Sequence, residues 1–455
     1  MGRLNPSPRH IVRSIGSAAR KIGSGAFVDQ GIISGFNFLT FLILARWLPS
    51  ETFGVYVLAF SALMFFQTFQ HALVTRAHNV LGANRTGGDF NSFTRTALAL
   101  VVGGAATAVV LLGLMAWVFT TLGWSSWAGA TAGLAVVLFP WLIQDAMRRF
   151  LYTADRILAA TVNDTVSYVL QFAGIVALFW LDVSGSVFLV MAILGASSLA
   201  AVLVGLIQLG RDVWSIPDWK SFARDTRSVW HFGKWLSSGE LVGWIGQNGN
   251  TWLIGGLLGA PLVAGYRAAS YVTNLLNPID LAVSNHLPVQ ASRILEAEGR
   301  RGMIQWLRRR GLLLCIPYAL LAVGISLFAF EMLDLFYDER YVTDLLALVL
   351  IVTVWARFGG FVVNFLRLGL MVTERTVPVF VSQIIGLIIF AIVSTILIST
   401  LGIVGAPLGR IALHLIVGAY LWRELSRNSI SSAAGNSAAD SSVPSPIFAS
   451  TEAAR

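Results

Sequence analysis

The chain has little of what a soluble enzyme is built from. Of 455 residues only 12% are charged, against 56% hydrophobic, and the mean hydropathy is +0.72. No soluble domain of this length has so little polar surface. There is one cysteine, Cys315, inside an apolar run, which excludes a disulfide framework and a cysteine-based metal site. The sequence has no P-loop, so ATP does not drive the chain directly. It has no His/Glu pair at metal-binding spacing either, and no metal is expected. No connection between the apolar runs is long enough for a catalytic or nucleotide-binding domain, so an enzyme is not expected. A cleavable signal peptide is not visible. The first apolar stretch is full length and is followed by Arg46 and a short turn, the pattern of a retained span.

What the chain does have is a succession of about twelve apolar stretches, each near the ~20 residues that a helix needs to cross a bilayer. They fall roughly at 23–46, 53–75, 96–120, 127–149, 158–181 and 186–209, then at 233–258, 262–289, 311–331, 342–366, 376–400 and 402–423. Basic residues alternate between the connections. Arg3, Arg9, Arg13, Arg20 and Lys21 come first, and Arg76, Arg85 and Arg95 follow the second stretch. Arg148, Arg149 and Arg156 follow the fourth, then Arg211, Lys220, Arg224, Arg227 and Lys234 the sixth. Arg293, Arg300, Arg301, Arg308, Arg309 and Arg310 come next, and Arg367, Arg375, Arg423 and Arg427 complete the series. The intervening connections, such as 121–126 and 259–262, carry few or no basic residues. Short loops rich in Lys and Arg mark the cytoplasmic side, so both ends are expected there. The net charge of +9 is spread over these loops. It suits orientation on an anionic leaflet of membrane lipids, and no nucleic-acid partner is expected.

The expected organisation is a basic segment (1–21), a six-helix bundle (22–210), a cytoplasmic amphipathic linker helix (211–232), a second six-helix bundle (233–424) and a disordered tail (425–455) rich in Ser, Ala and Pro. In the linker, Trp219, Phe222, Ala223, Thr226, Val229, Trp230 and Gly233 recur at spacings of three and four, with Lys220, Arg224, Asp225 and Arg227 opposite. That is the pattern of a helix lying in the membrane interface. A shift of 211 positions puts Asn37 on Asn248 (248 − 37 = 211), Asp29 on Glu240, Thr40 on Thr251 and Gly54 on Gly265. The halves therefore read as a repeat. Six spans per half give both the same orientation, with an axis along the membrane normal and a central site.

Ionisable groups inside a span cost ~2.5–3.5 kcal/mol on insertion scales, and are functional candidates. Asp29, Asn37 and Thr40 share a helical face, as do Glu240, Gln247, Asn248 and Thr251. Such stripes should line a cavity rather than face lipid. Gln67 and His71 share a face of the second span, and Arg267, Asn274 and Asn277 one of the eighth, where Pro278 should kink the helix. Arg357 lies deep in the tenth span and Arg410, with His414, in the twelfth. Each of these arginines needs an acidic partner, a water-filled cavity or an anionic ligand. For each arginine taken alone a structural partner is the safer reading, and His414 reads as packing or pairing; for Asp29 and Glu240 taken singly, a solvated position near the interface is as good a reading as a site. Arg46, Asp145, Arg148 and Arg149 sit at span ends and read as interfacial. Gly31 and Gly35, like Gly239 and Gly243, are four apart and read as positions of close helix packing.

The segment Ala45-Arg46-Trp47-Leu48-Pro49-Ser50-Glu51-Thr52-Phe53-Gly54-Val55-Tyr56 resembles a turn of the polysaccharide exporters, "A-R-x-L-x-x-x-x-F-G-x-Y". These are the O-antigen, teichoic-acid and exopolysaccharide flippases of the multidrug/oligosaccharidyl-lipid/polysaccharide (MOP) superfamily. Arg148-Arg149-Phe150-Leu151-Tyr152-Thr153-Ala154-Asp155-Arg156 resembles their "R-x-x-L-x-A-x-R" turn, and 232–267 the restart of their second half. The resemblance implies an all-α integral membrane protein with two six-helix bundles around a central cavity, like the MATE transporters. It implies alternating access that moves undecaprenyl-diphosphate-linked oligosaccharide across a bacterial inner membrane, beside a polymerase and glycosyltransferases. No cofactor is expected, though Asp29 or Glu240 offers a place for H⁺ or Na⁺ coupling. A drug/cation antiporter of the same superfamily is the alternative, and would have a more acidic and aromatic cavity. A membrane scaffold of a synthase complex is a third reading, and predicts no open cavity.

Overall fold

The computed structural model describes residue 31 and residues 33–439. Asp29, and with it the acid-on-acid match of the repeat, lies outside the described residues. Every regular element among the described residues is helical. In chain order they are α1 (Ile33–Trp47), α2 (Ser50–Gly82), α3 (Gly87–Thr121), α4 (Ser125–Thr153), α5 (Ile157–Trp180) and α6 (Val187–Leu209). After them come α7 (Trp219–Leu258), α8 (Ala260–Val272), α9 (Asn277–Leu327), the short α10 (Ala329–Phe336), α11 (Asp344–Val372), α12 (376–401) and α13 (Gly405–Ala439).

Among the described residues eight helices are long and apolar enough to cross a membrane. The difference from about twelve apolar stretches, each of the ~20 residues a span needs, has identifiable causes. The first span is described only as the shorter α1, and the last two run together over Thr376–Ser426. The seventh and eighth fall on α7 and α8, where polar residues dilute the apolar run, and α8 stops at Val272.

Local sequence explains several boundaries. The Ser186 side chain accepts a hydrogen bond from the Leu189 N–H and caps α6, and Asp218 does the same for Ser221 at the start of α7. Gly259, at φ +93°, makes the sharp turn from α7 to α8, a conformation that glycine adopts without strain. α13 extends into the Ser- and Ala-rich tail as far as Ala439, and alanine has the highest helix propensity.

The chain divides into two compact units. The first holds the residues through Tyr271 together with Phe330–Ala347 and Leu401–Ile403. The second holds Val272–Ala329, Leu348–Thr400 and the residues from Val404 onward. In the first, α4 and α6 approach closely at glycines. A Cβ on Gly195 would lie 3.2 Å from the Val137 Cα, and one on Gly133 3.0 Å from the Phe188 Cα. At the turn before α2, a Cβ on Gly54 would meet the Ala260 carbonyl oxygen at 1.8 Å. By contrast Gly31, Gly35, Gly239 and Gly243 would place a Cβ in open space. Their spacing is that of a packing motif, but among the described residues no neighbour occupies it.

The amphipathic segment at 219–235 is the first part of α7, which continues without a break to Leu258. Trp219 and Trp230 are exposed, and Val229 is buried. Asp225, expected on the polar face, is fully buried instead, between Arg85 at 3.2 Å and Arg224 at 3.2 Å. At the other end of this unit, α1 and the segment after α10 are cross-tied. Arg46 donates to the Leu335 and Phe336 carbonyls, each at 3.1 Å, while Arg340 donates to those of Leu48 at 2.9 Å and Arg46 at 2.7 Å. Each arginine thus satisfies carbonyls left over at a helix C-terminus. Arg46 is therefore a structural tie rather than a simple interfacial charge.

The second unit has a core around Val363, Leu370, Val417 and Leu421. Here α8 gives way to a 3-10 turn, Thr273–Leu276, before α9 begins. In that turn the Asn277 N–H bonds the Asn274 carbonyl, which leaves the Thr273 carbonyl without its α-helical donor, and Arg357 of α11 donates to it at 2.7 Å.

Candidate functional site: a polar and aromatic cavity

The first unit encloses a cavity of about 390 Å³, within the size range of small-ligand sites. Six of the helices contribute to its lining. From α1 come Asn37, Thr40 and Phe41; from α2, Tyr56, Phe60 and Gln67; from α4, Trp141, Gln144, Asp145 and Arg148. Tyr168 and Gln171 come from α5, Asn248 from α7, and Arg267 and Tyr271 from α8. Aromatic rings form much of its wall. Tyr271 stacks on Phe41 at 3.8 Å between centroids, and Phe60 meets Trp141 edge-on at 6.2 Å.

Beside the rings lies a closed ionic network. Gln67 Nε2 donates to Asp145 Oδ1 at 2.8 Å and Arg149 Nε to Asp145 Oδ2 at 3.0 Å. Arg148 lies 3.6 Å from Asp145 and donates to Asp164 Oδ2 at 2.9 Å. Gln144 donates to Asp164 Oδ1 at 3.0 Å and Asn163 Oδ1 at 3.1 Å, and Asn163 donates to the Ala201 carbonyl at 2.7 Å. Asp145 is 2% exposed and Asp164 0%. Buried charges persist only when paired in this way. The expectation that Asp145, Arg148 and Arg149 are interfacial is corrected here. α4 runs on to Thr153, so Asp145 stands two turns inside the helix, bonded to Gln67 of α2.

Four of the sequence candidates meet in this cavity: Asn37, Gln67, Asn248 and Arg267. The Asn37 side chain is hydrogen-bonded with Tyr168, and its carbonyl accepts from the Tyr271 hydroxyl at 3.4 Å. Asn37 and Asn248, matched by the 211-residue shift, thus share one lining. Glu240 is instead paired with Arg76 at 2.6 Å, with both side chains partly exposed. His71 is half-buried in a π turn of α2, His71–Thr75, and Gln247 is exposed.

The other candidates belong to the second unit. Arg357 donates to Asn277 Oδ1 at 2.7 Å, Asp280 Oδ2 at 2.8 Å and the Thr273 carbonyl at 2.7 Å, with Asn274 Oδ1 at 3.4 Å. This is a structural set. It holds the broken stretch between α8 and α9. Arg410 is half-buried on α13, and a Cβ on Gly360 would lie 3.0 Å from the His414 ring. Residues that the sequence reading missed are Trp141, Gln144, Asp164, Tyr168 and Gln171. Asn163, Asp164 and Gln171 are polar interruptions in an otherwise apolar α5, which was the available signal. Among the described residues, no cluster of three or more His, Cys, Asp or Glu side chains is placed to hold a metal ion.

No protein-family model matches the chain, and no curated protein matches it significantly. Solved structures do share its fold. A multidrug resistance MATE family transporter of the MOP superfamily, inward-facing, superposes with a TM-score of 0.68 at 13% identity, over 86% of this chain and 94% of that one. The lipid II flippase MurJ, in an inward closed conformation, gives 0.65 at 13% identity, over 89% and 87%. A MOP superfamily transporter from Pyrococcus furiosus, described as having a binding pocket of reversed polarity, gives 0.60 at 14% identity, over 88% and 94%. At these identities the likeness is one of fold. The described residues are all-α, with the fold of MOP-superfamily membrane transporters, and the three neighbours are transporters or flippases.

Proposed function

We propose that this chain moves an undecaprenyl-diphosphate-linked oligosaccharide across a bacterial plasma membrane by alternating access, for the assembly of surface polysaccharide. The charge balance of the cavity carries the reading. Among the described residues one carboxylate, Asp145, lines it against two guanidinium groups, Arg148 and Arg267. Both Asp145 oxygens are engaged by Gln67, Arg148 and Arg149. A cationic drug or a free metal ion would find no available acid there, whereas the excess of guanidinium over carboxylate in the lining suits a diphosphate. The polar head of such a lipid cannot cross hydrocarbon with its groups unsatisfied. With the cytoplasm negative, each negative charge moved outward gains ~2.3 kcal/mol per 100 mV. The basic loops then face the cytoplasm, with the termini, and a polymerase and glycosyltransferases are the natural partners. Glu240, already held by Arg76, is a weaker candidate for H⁺ or Na⁺ coupling than a free carboxylate.

The aromatic lining, with Phe41, Tyr56, Phe60, Trp141 and Tyr271, favours the second reading, a drug/cation antiporter. The presence of an open cavity speaks against a scaffold. The deciding experiment measures surface polysaccharide in cells carrying Arg267→Ala or Arg309→Ala at equal membrane levels. Arg309 is exposed and serves as the control. Export should fall about tenfold with Arg267→Ala, since a desolvated charge-assisted contact is worth ~1.5–3 kcal/mol, and should hold with Arg309→Ala. Unchanged polysaccharide with altered resistance to cationic drugs would establish the antiporter instead.

A further inference from the structure

We infer that Thr40, Trp141 and Gln171 form a subsite for the uncharged ring of the first sugar, apart from the arginines that take the phosphates. This rests on the transport reading above. The three residues come from α1, α4 and α5, line the same cavity, and are 3%, 5% and 2% exposed. Yet Thr40 Oγ1, Trp141 Nε1 and Gln171 Oε1 have no hydrogen-bond partner among the described residues. Buried polar groups are almost always bonded, and their neighbours Gln67, Gln144 and Asp145 are. With Arg148 Nε, four such atoms stand in one lining and point to a ligand.

Their chemistry narrows the ligand further. The indole N–H only donates, the amide oxygen only accepts, and the hydroxyl does either. A phosphate only accepts, and would leave Gln171 Oε1 unmet. An ammonium group only donates, and would leave the Trp141 N–H unmet. A pyranose with hydroxyl or acetamido groups satisfies both. The rings of Phe60 and Tyr168 in the same lining offer apolar surface to its C–H face.

The test compares farnesyl diphosphate with farnesyl-diphosphate-linked N-acetylglucosamine binding to the full chain in nanodiscs. In the parent, the sugar should raise affinity by about tenfold or more. Thr40→Val, Trp141→Phe and Gln171→Leu should each shrink that difference by about three- to tenfold, the value of one hydrogen bond. The melting temperatures of Thr40→Val and Gln171→Leu should hold or rise, because no protein group loses a partner. Equal affinity of the parent for both lipids would overturn the subsite and leave the transport reading standing. A fall in melting temperature in those two variants would mark the groups as structural and overturn it too. Binding of neither lipid would overturn the transport reading and the subsite with it.

Discussion

In the first unit Arg148 holds two aspartates carried by two regular helices; in the second Arg357 holds one aspartate and the carbonyl of a broken one. The ingredients are alike but the surroundings differ. Asp145 and Asp164 are almost wholly buried, and their network joins α4 to α5 while fixing the charge of the cavity. Asp280 and Arg357 keep 33% and 23% side-chain exposure, so their pairing is less desolvated. A buried Arg–Asp pair is thus not one device. Where the backbone is regular it sets electrostatics, and where the backbone is irregular it replaces a missing donor.

The comparison can be broken most directly at Arg148. Arg148→Met leaves two buried carboxylates short of a partner, and should destabilise the protein by about 3–5 kcal/mol. Thermal melting in detergent measures it, and adding Asp164→Asn should recover part of the loss. If the single variant melts like the parent, the network does not hold α4 to α5. Arg357→Met should have a smaller effect, about 1.5–3 kcal/mol, because its partners remain partly hydrated. Hydrogen exchange should then rise around Thr273–Leu276 and not in α4. Equal protection there would show that the break is held without Arg357. Smallest of all is Glu240→Gln. Its pair with Arg76 is about a third exposed on each side, and such pairs contribute about 0–1 kcal/mol. A larger loss would show that the pair is desolvated and structural.

Much of the fold was legible because hydrocarbon imposes a length and a composition on any helix that crosses it. The alternation of basic loops and apolar stretches needed no structure to be read. The site was legible only where polarity repeats along one helix, as at Asn37 and Asn248. Asp145 and Arg148 escaped because hydropathy places a charged residue at the end of a span, whereas α4 continues to Thr153. Asp164 escaped because its partners lie on another helix, and pairing across helices leaves no period in the sequence. The paired glycines misled for the converse reason. Gly239 and Gly243 have the right spacing, but close packing requires something to pack against.

The Asp145 network also bears on how the chain is made. A span that enters a bilayer with three charged side chains faces ~2.5–3.5 kcal/mol for each one near the centre. In α4, Arg148 and Arg149 stand three and four residues beyond Asp145, and both contacts form within a single helix. The helix therefore carries its own counter-ions, without help from α5. Arg148 alone is left with charge to spare, and α5 brings Asp164 to meet it as the next span arrives. The order of the helices in the chain is also an order of neutralisation.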